Sequence, residues 1–419
     1  MRTPAALRRG GSTVFHLIGL DDIPRALVPL LVVDMLGSVA FSNFFIYVAI
    51  WAKERLHASD HELGLAFLLS AFTAAAAGSI GGVISDRVGR KPLIVLGWGA
   101  SITASLAALA AGDNTLVGLA AFVVISGLAA IGHGADTALV ADLVPPEARE
   151  RSFAAVRLTG NLGGVLGPSI GALALVLYGW NGLFITAAAL GIAATAIGIR
   201  YLPATGDYTP PRNERIRGAW RVLLTDVRYG VFWCVSVLQY VIYTMYETLL
   251  PISLTQSYGY SAASWGLLAG INPLLVVLFQ LRITRASSRY PRVGLRLAIA
   301  TLLMGLPFLL LEVSSALPVV ILIIVVFVVG EMLWVPTGQA VAERMAPDSM
   351  RGAYLGAFTA TSGVAFALGP LAGLQIRAAG GTGAVWYVVA VIAVIAALIT
   401  LAVVRGMPGR PASPFAHST

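Results

Sequence analysis

Charged residues are scarce in this chain of 419 residues. Asp, Glu, Lys and Arg make up 11% of it, against roughly 25% in an ordinary soluble domain. Cysteine is almost absent as well, because Cys234 is the single copy. One cysteine excludes an internal disulfide framework and a cysteine-rich metal site. The composition therefore argues against a water-soluble globular protein.

The chain has long apolar runs instead. Hydrophobic residues make up 58% of it, and the mean hydropathy is +0.83. A membrane-spanning helix needs about 20 apolar residues, so the runs predict an all-α integral membrane protein with twelve transmembrane helices. The predicted spans are 26–52, 62–85, 92–112, 115–141, 152–178, 181–202, 229–255, 262–284, 293–312, 317–342, 352–376 and 383–404. The first span is too long for a signal-peptide core, so we expect it to be retained.

The net charge of +8 is unevenly placed along the chain. Of the 28 basic residues, all but Lys53, Arg55 and Arg377 fall at the termini, the central linker and one set of loops. The positive-inside rule then predicts a multi-pass protein of the prokaryotic cytoplasmic (inner) membrane with both termini cytoplasmic. Anionic membrane lipids are the expected neighbours of this charge. We expect no nucleic-acid binding, because no aromatic and basic patch lies outside the predicted spans.

A doubly basic turn, Gly82–Lys91, joins the second and third predicted spans. It reads Gly-Val-Ile-Ser-Asp-Arg-Val-Gly-Arg-Lys between two uncharged runs. This pattern resembles the signature loop of the major facilitator superfamily, and we call it the signature loop. Its motif positions are Gly82, Asp86, Arg87, Gly89, Arg90 and Lys91. An ordinary positive-inside turn would not require the aspartate or the glycines, so we expect a gating role.

The chain also repeats itself at a shift of 202 residues. Arg87 and Arg90 align with Arg289 and Arg292, Pro145 and Arg149 with Pro347 and Arg351, and Gly167, Pro168 and Gly171 with Gly369, Pro370 and Gly373. Such a duplication is typical of twelve-helix transporters built of two six-helix halves. We predict an N-terminal bundle at 26–202 and a C-terminal bundle at 229–404. The linker 203–228 joins them, and short segments 1–25 and 405–419 lie at the ends.

The fifth span carries Gly163, Gly167, Pro168 and Gly171. Glycines four residues apart form a flat groove for another helix, and proline permits a bend. Any membrane helix can use small residues in this way, but the pattern resembles the motif of the antiporter branch of the superfamily. The segments Asp142–Arg149 and Gly330–Pro336 look like parts of its drug–proton antiporters.

The resemblance implies two six-helix bundles related by a pseudo-two-fold axis, with alternating access to a central cavity. It also implies that Asp86 faces the N-terminus of the eleventh helix and that Arg90 meets Asp142. Together these contacts would latch the cytoplasmic side shut in the outward-open state. One departure concerns proton coupling, which many members link to an arginine in the fourth span. His133 is the only basic residue between Lys91 and Arg149 here.

Four carboxylates lie inside predicted spans: Asp34, Asp136, Glu247 and Glu331. An ionised side chain at mid-membrane costs about 2.5–3.5 kcal/mol, so such residues are functional candidates. With His133, one turn from Asp136, they form the set of proton-coupling candidates. Asp34 is either a proton or cation site or a structural hydrogen-bonding group, and Glu331 is equally suited to binding a cationic substrate. For Asp136 and His133, a structural pair is favoured over a proton relay.

Tyr240, Tyr243 and Tyr246 precede Glu247 at helical spacing. Their aromatic faces either line a cavity that attracts organic cations or anchor the helix at the membrane interface. Together with Asn43 and Trp334, they complete our set of substrate-cavity candidates.

Motifs of enzymes and pumps are missing from the sequence. There is no Gly-x-x-x-x-Gly-Lys-Ser/Thr phosphate loop, so the chain is not by itself an ATP-driven pump. His57 and His61 are four residues apart, but Ser59 and Asp60 between them predict a helix cap instead of a metal site. We therefore expect no enzymatic activity, no cofactor and no metal, with the proton gradient as the energy source.

Our leading hypothesis is proton-coupled export of amphipathic or cationic small molecules by a functional monomer. The alternative is a facilitator or symporter for a specific metabolite, such as a sugar or a siderophore. A cavity rich in buried arginine would favour that alternative. From another class, a non-transporting membrane sensor would show a long soluble domain or degenerate gating motifs.

Overall fold

The computed structural model describes residues 24–144, 149–203, 225–347 and 350–405, and within these residues it contains helices and no strands. The helices are α1 (Val28–Phe45), α2 (Val48–Glu54), α3 (Asp60–Val88), α4 (Arg90–Ala111), α5 (Thr115–Leu143), α6 (Arg149–Tyr201), α7 (Val227–Thr244), α8 (Leu250–Gln256), α9 (Ala262–Ala269), α10 (Ile271–Ser288), α11 (Val293–Gly305), α12 (Leu317–Met345) and α13 (Arg351–Val403). A π-helical turn, Met245–Leu249, joins α7 to α8.

These helices cross the predicted membrane twelve times. By length and composition, 9 candidate spans are found in the described part of the chain, and two of them are 47 and 51 residues long. Those two belong to α6 and α13, which bend at Gly179 (φ 62°) and Gly381 (φ 78°), so each crosses twice. A positive φ is a conformation that glycine adopts without a steric penalty. The remaining crossing is formed by α7, the π-helical turn and α8 together. The predicted twelve-helix fold is therefore confirmed.

The two halves of the chain match at the 202-residue shift in structural detail. Helices α5 and α12 each have 29 residues, and α6 and α13 each have 53 residues. Ser59 caps α3 and Ser261 caps α9 through the same contact, a serine hydroxyl that accepts a hydrogen bond from the backbone N–H three residues later. The helix cap expected at Ser59 is therefore present, and the bends at Gly179 and Gly381 also fall at equivalent positions.

Glycines let paired helices pack closely in both halves. A Cβ added at Gly167 would lie 2.7 Å from both Ser42 Cβ and Val39 O on α1, and one added at Gly163 would contact Ser38. In the second half, a Cβ at Gly369 would collide with Thr244, the residue equivalent to Ser42. The glycine motif of the fifth span therefore forms the groove in which α1 packs. The bundle boundaries at the linker and the two ends stay a prediction, because 1–23, 204–224 and 406–419 lie outside the described residues.

Candidate substrate and ion-coupling site

A cavity of about 510 Å³ lies between the two halves. Both halves supply wall residues, and the second half supplies more of them. The lining is Phe41, Ser42, Phe45, Ile46, Arg157, Asn161, Gly164, Tyr243, Tyr246, Glu247, Trp265, Ala269, Asn272, Pro273, Val276, Gln280, Glu331, Val335 and Phe366. Its volume is in the range of roughly 300–1,000 Å³ that small-molecule sites occupy.

Two predicted carboxylates, Glu247 and Glu331, face this cavity from the second half. The Asn272 side-chain amide donates a hydrogen bond of 2.8 Å to Glu331 Oε2. Glu247 is close enough to Glu331 for their charges to interact, and the Tyr243 hydroxyl lies beside Glu247. The site therefore places two carboxyl groups close together within an apolar surround.

The π-helical turn places Glu247 in the cavity wall. It spans Met245–Leu249, and Pro251 is the second residue of the helix α8 that follows. One-turn π segments inside α-helices are found most often at functional sites. The sequence predicted an uninterrupted helix here, because an apolar run carries no signal for one extra residue in a turn.

Aromatic rings form much of the cavity wall around the carboxylates. Tyr246 and Trp265 meet edge to face with ring centroids 5.9 Å apart, and Tyr243 lies 6.3 Å from Phe366. Such faces attract organic cations, and they also bury apolar surface of a ligand. Of the two predicted roles for the tyrosine stripe, Tyr243 and Tyr246 therefore have the cavity-lining one.

Three other predicted cavity residues do not line this cavity. Asn43 is fully buried within the first half and donates a hydrogen bond of 3.4 Å to the Leu183 carbonyl. Tyr240 packs against the buried Trp334, with ring centroids 5.2 Å apart. These residues were misplaced because helical spacing does not distinguish a cavity face from a face packed against a neighbouring helix.

Asp34 and Asp136, both in the first half, lie close enough for their charges to interact, and neither lines the cavity. The Thr159 hydroxyl on α6 donates a hydrogen bond of 2.7 Å to Asp34 Oδ2 on α1. Asp136 on α5 is 8% exposed and interacts electrostatically with Asp34. Among the described residues, its Oδ1 has no hydrogen-bond partner. The His133 side chain lies outside the described residues, so the predicted pairing of His133 with Asp136 stays a prediction.

Sequence reasoning missed several polar residues of the cavity. Arg157 was counted with the charges of a loop, although it lines the cavity with Asn161 and Gly164 at helical spacing on α6. Asn272 and Gln280 line the opposite wall from α10. The sequence could have indicated these residues, because polar side chains in the middle of a span usually face the interior of a bundle.

The halves are joined at the end of the bundle opposite the signature loop. Asp60, at the start of α3, pairs with Arg377 of α13 at 2.7 Å and with Lys53 of α2 at 2.6 Å. Arg377 also donates a hydrogen bond of 2.6 Å to Gln256 Oε1, and the Trp265 indole N–H donates one of 3.2 Å to the Ile46 carbonyl. The cavity is therefore closed on this side.

At the signature loop, Arg90 and Asp142 form the expected pair. Arg90 Nε lies 3.2 Å from Asp142 Oδ2, and Arg90 Nη1 donates a hydrogen bond of 2.6 Å to Ser85 Oγ. Gly89 has a φ of 88° between α3 and α4, a left-handed conformation that favours glycine. The surroundings of Gly82 and the Asp86 side chain lie outside the described residues, so the contact of Asp86 with the eleventh helix stays a prediction.

Twelve membrane helices in two equivalent halves, with an aromatic cavity that holds a few polar groups between them, define a membrane transporter. A family model described as Major Facilitator Superfamily matches residues 30–333 and 232–417. The chain belongs to the major facilitator superfamily, and it is an integral membrane protein.

Relatives that match most of the chain are named as multidrug resistance proteins and as an antiporter. A multidrug resistance protein MdtH of Klebsiella pneumoniae (strain 342) is 29% identical over 329 residues, covering 78% of this chain and 80% of the relative. A Na⁺, Li⁺, K⁺/H⁺ antiporter of Planococcus maritimus is 25% identical over 369 residues, covering 81% and 86%.

Solved structures show the same fold at low sequence identity. A mutant of the nucleoside transporter NupG matches with a TM-score of 0.77 and 16% identity, covering 90% of this chain and 100% of NupG. A POT family transporter in complex with a thioalcohol-conjugated peptide matches with a TM-score of 0.74 and 17% identity, covering 92% and 97%.

Proposed function

We propose that this protein exports amphipathic or cationic small molecules in exchange for protons by alternating access. The observation that carries the proposal is the pair Glu247 and Glu331, which faces an aromatic cavity between the halves. Carboxylates and aromatic faces both favour an organic cation. The multidrug resistance relatives support the same substrate class.

The proposed cycle uses the two ends of the bundle as alternate gates. By the positive-inside rule, the signature-loop end is cytoplasmic. The cavity, closed at the opposite end by Asp60 and Arg377, would then take substrate from the cytoplasmic side. We place the chain in the cytoplasmic membrane with cytoplasmic termini, acting as a monomer among anionic lipids and without a cofactor.

Proton coupling is assigned to carboxylates within the spans of both halves. A carboxylate that loses its proton becomes an acceptor for a cation, and the arrival of a proton then displaces that cation. Glu331 would carry this exchange in the cavity. The Asp34–Asp136 pair would bind and release a proton in the first half. The relay role of His133 stays part of this proposal.

The test is efflux of a fluorescent organic cation from cells expressing the chain, with and without a protonophore. Glu331→Gln and Asp34→Asn are compared with Asp113→Asn, which removes an exposed carboxylate paired with Arg55 at the opposite end. Efflux that stops with the protonophore and in Glu331→Gln, but continues in Asp113→Asn, supports the proposal. Efflux that survives both the protonophore and Glu331→Gln contradicts it.

A second candidate is exchange of an alkali cation for protons. The Asp34–Asp136 pair with the Thr159 hydroxyl offers the oxygen ligands that hard cations prefer, and one relative bears the name of such an antiporter. Its test is Na⁺- or Li⁺-driven release of protons from everted vesicles. Exchange lost in Asp136→Asn but retained in Glu331→Gln would favour this second function.

A further inference from the structure

Arg157 is the one positive charge that the described residues place in the cavity wall. It lies on the face of α6 that also carries Asn161 and Gly164. Within the described part of the chain, its guanidinium forms no ion pair and no hydrogen bond. Its side chain is exposed, so its guanidinium N–H donors are accessible to a ligand that carries an acidic group.

The wall formed by the second half carries acidic side chains instead. Neither Glu247 nor Glu331 forms an ion pair with a basic side chain of the described residues, and Glu331 is held by the uncharged Asn272 amide. A guanidinium and two carboxyl groups therefore face one cavity from different halves without pairing with each other. Each is available to a ligand group of complementary charge.

The charges are also separated along the bundle. At 1.5 Å per residue, Arg157 lies about 12 Å from the start of α6, whereas Glu331 lies about 21 Å from the end of α12. Both of those helix ends lie at the signature-loop end, so Arg157 is the nearer of the two charges to it. Apolar and aromatic side chains, among them Phe41, Tyr243 and Phe366, line the same cavity.

We infer that the preferred substrates are amphoteric: a basic amine that meets Glu247 and Glu331, an aromatic body, and an acidic group that meets Arg157. This inference rests on the proposed function and narrows its substrate class from organic cations to zwitterions. Arg157 is then the specificity-determining residue, because guanidinium binds carboxylate with planar, two-point geometry.

The experiment compares three matched aromatic probes on the purified full chain by equilibrium dialysis: a monocationic amine, the same amine carrying an added carboxylate, and the carboxylate alone. We expect the wild type to bind the zwitterion most tightly. Arg157→Gln should lower the zwitterion-to-monocation affinity ratio by about tenfold, the typical effect of losing one hydrogen bond to a charged group. Arg157→Lys should retain part of the preference.

Arg200→Gln is the matched control, since Arg200 is an exposed arginine that stacks on Tyr201 outside the cavity, and it should keep the wild-type ratio. A wild type that binds the monocation as tightly as the zwitterion overturns the inference, whether or not the variant folds. An unchanged ratio in Arg157→Gln also overturns it. Cellular efflux of the monocation tests the proposed function separately, so a failure of export and a failure of zwitterion preference are distinguishable.

Discussion

Arg377 Nη1 lies 2.7 Å from Asp60 Oδ1, and this ion pair joins the second half of the transporter to the first. The two side chains are 14% and 13% exposed, and Lys53, 8% exposed, reaches the same Asp60 oxygen at 2.6 Å. One carboxylate thus serves two cations at the end opposite the signature loop. Because the contact spans the halves and is largely shielded from water, it stabilises the state in which this end is closed.

We predict that Arg377→Gln shifts the protein towards opening at that end. Loss of the shielded pair should cost the closed state about 1–2 kcal/mol, or about 5- to 30-fold in the ratio of closed to open. The measurement is the distance between spin labels at Leu116→Cys and Val313→Cys, two exposed positions at this end of the two halves. A Cys234→Ser background removes the single native thiol.

Arg55→Gln is the control for this measurement. Arg55 is a basic residue of the same end, but its 2.6 Å pair with Asp113 lies within the first half. It should leave the label distance unchanged. If Arg55→Gln and Arg377→Gln change the distance equally, general surface charge, and not a link between the halves, governs opening.

A second prediction concerns the glycine groove between α1 and α6. Gly167→Ala should destabilise the protein by about 1–3 kcal/mol, because the new methyl group would lie 2.7 Å from the Val39 carbonyl oxygen, a backbone atom that cannot rotate away. Gly99→Ala has open space around its Cβ and should be neutral or stabilising. Thermal unfolding of the two purified variants in detergent checks both outcomes, and equal melting temperatures would contradict the packing role.

The sequence predicted the helices well because their cause is local. An apolar run of sufficient length must form a helix in a bilayer, and the span predicted at 115–141 is found as Thr115–Leu143. The 202-residue repeat could also be predicted from the sequence, because equivalent positions preserve the same caps, bends and glycines. Arg90 and Asp142 were paired through a family resemblance, and the described geometry agrees.

The site could be predicted only in part, because its contacts are long-range. Lys53 and Arg377 were exceptions to the positive-inside rule in the sequence. In the structure both pair with Asp60, which is 317 positions from Arg377. Arg157 was assigned to a loop because charge near a helix end usually lies in solvent. Asn43 and Trp334 were assigned to the cavity, yet both are buried in packing.

Our third prediction concerns Arg90 and Asp142, which join the start of α4 to the end of α5. Asp142→Asn keeps a hydrogen-bond acceptor but removes the charge, so we expect slower transport with the folded protein retained. The loss of a charge-assisted contact is typically worth about 1.5–3 kcal/mol. Arg289→Gln, which removes an exposed charge of the equivalent loop in the second half, is the control. Initial rates in proteoliposomes at equal protein content provide the comparison, and a normal rate in Asp142→Asn would rule out a mechanical role for the pair.

The fourth prediction is that Asn272 positions the Glu331 carboxylate. Asn272→Leu removes the 2.8 Å hydrogen bond, so the carboxylate loses a fixed orientation and we expect binding of an organic cation to weaken by about tenfold. Gln280→Leu removes a different cavity amide, whose N–H donates a hydrogen bond to the Met332 carbonyl at 3.0 Å, and it should have a smaller effect. Equilibrium dialysis of the same monocation with both variants separates the two amides. If both variants weaken binding equally, the polarity of the cavity matters and the orientation of Glu331 does not. If only Asn272→Leu does so, the amide–carboxylate pair is the element that fixes the cation site, since no other substitution in this set removes a contact with Glu331.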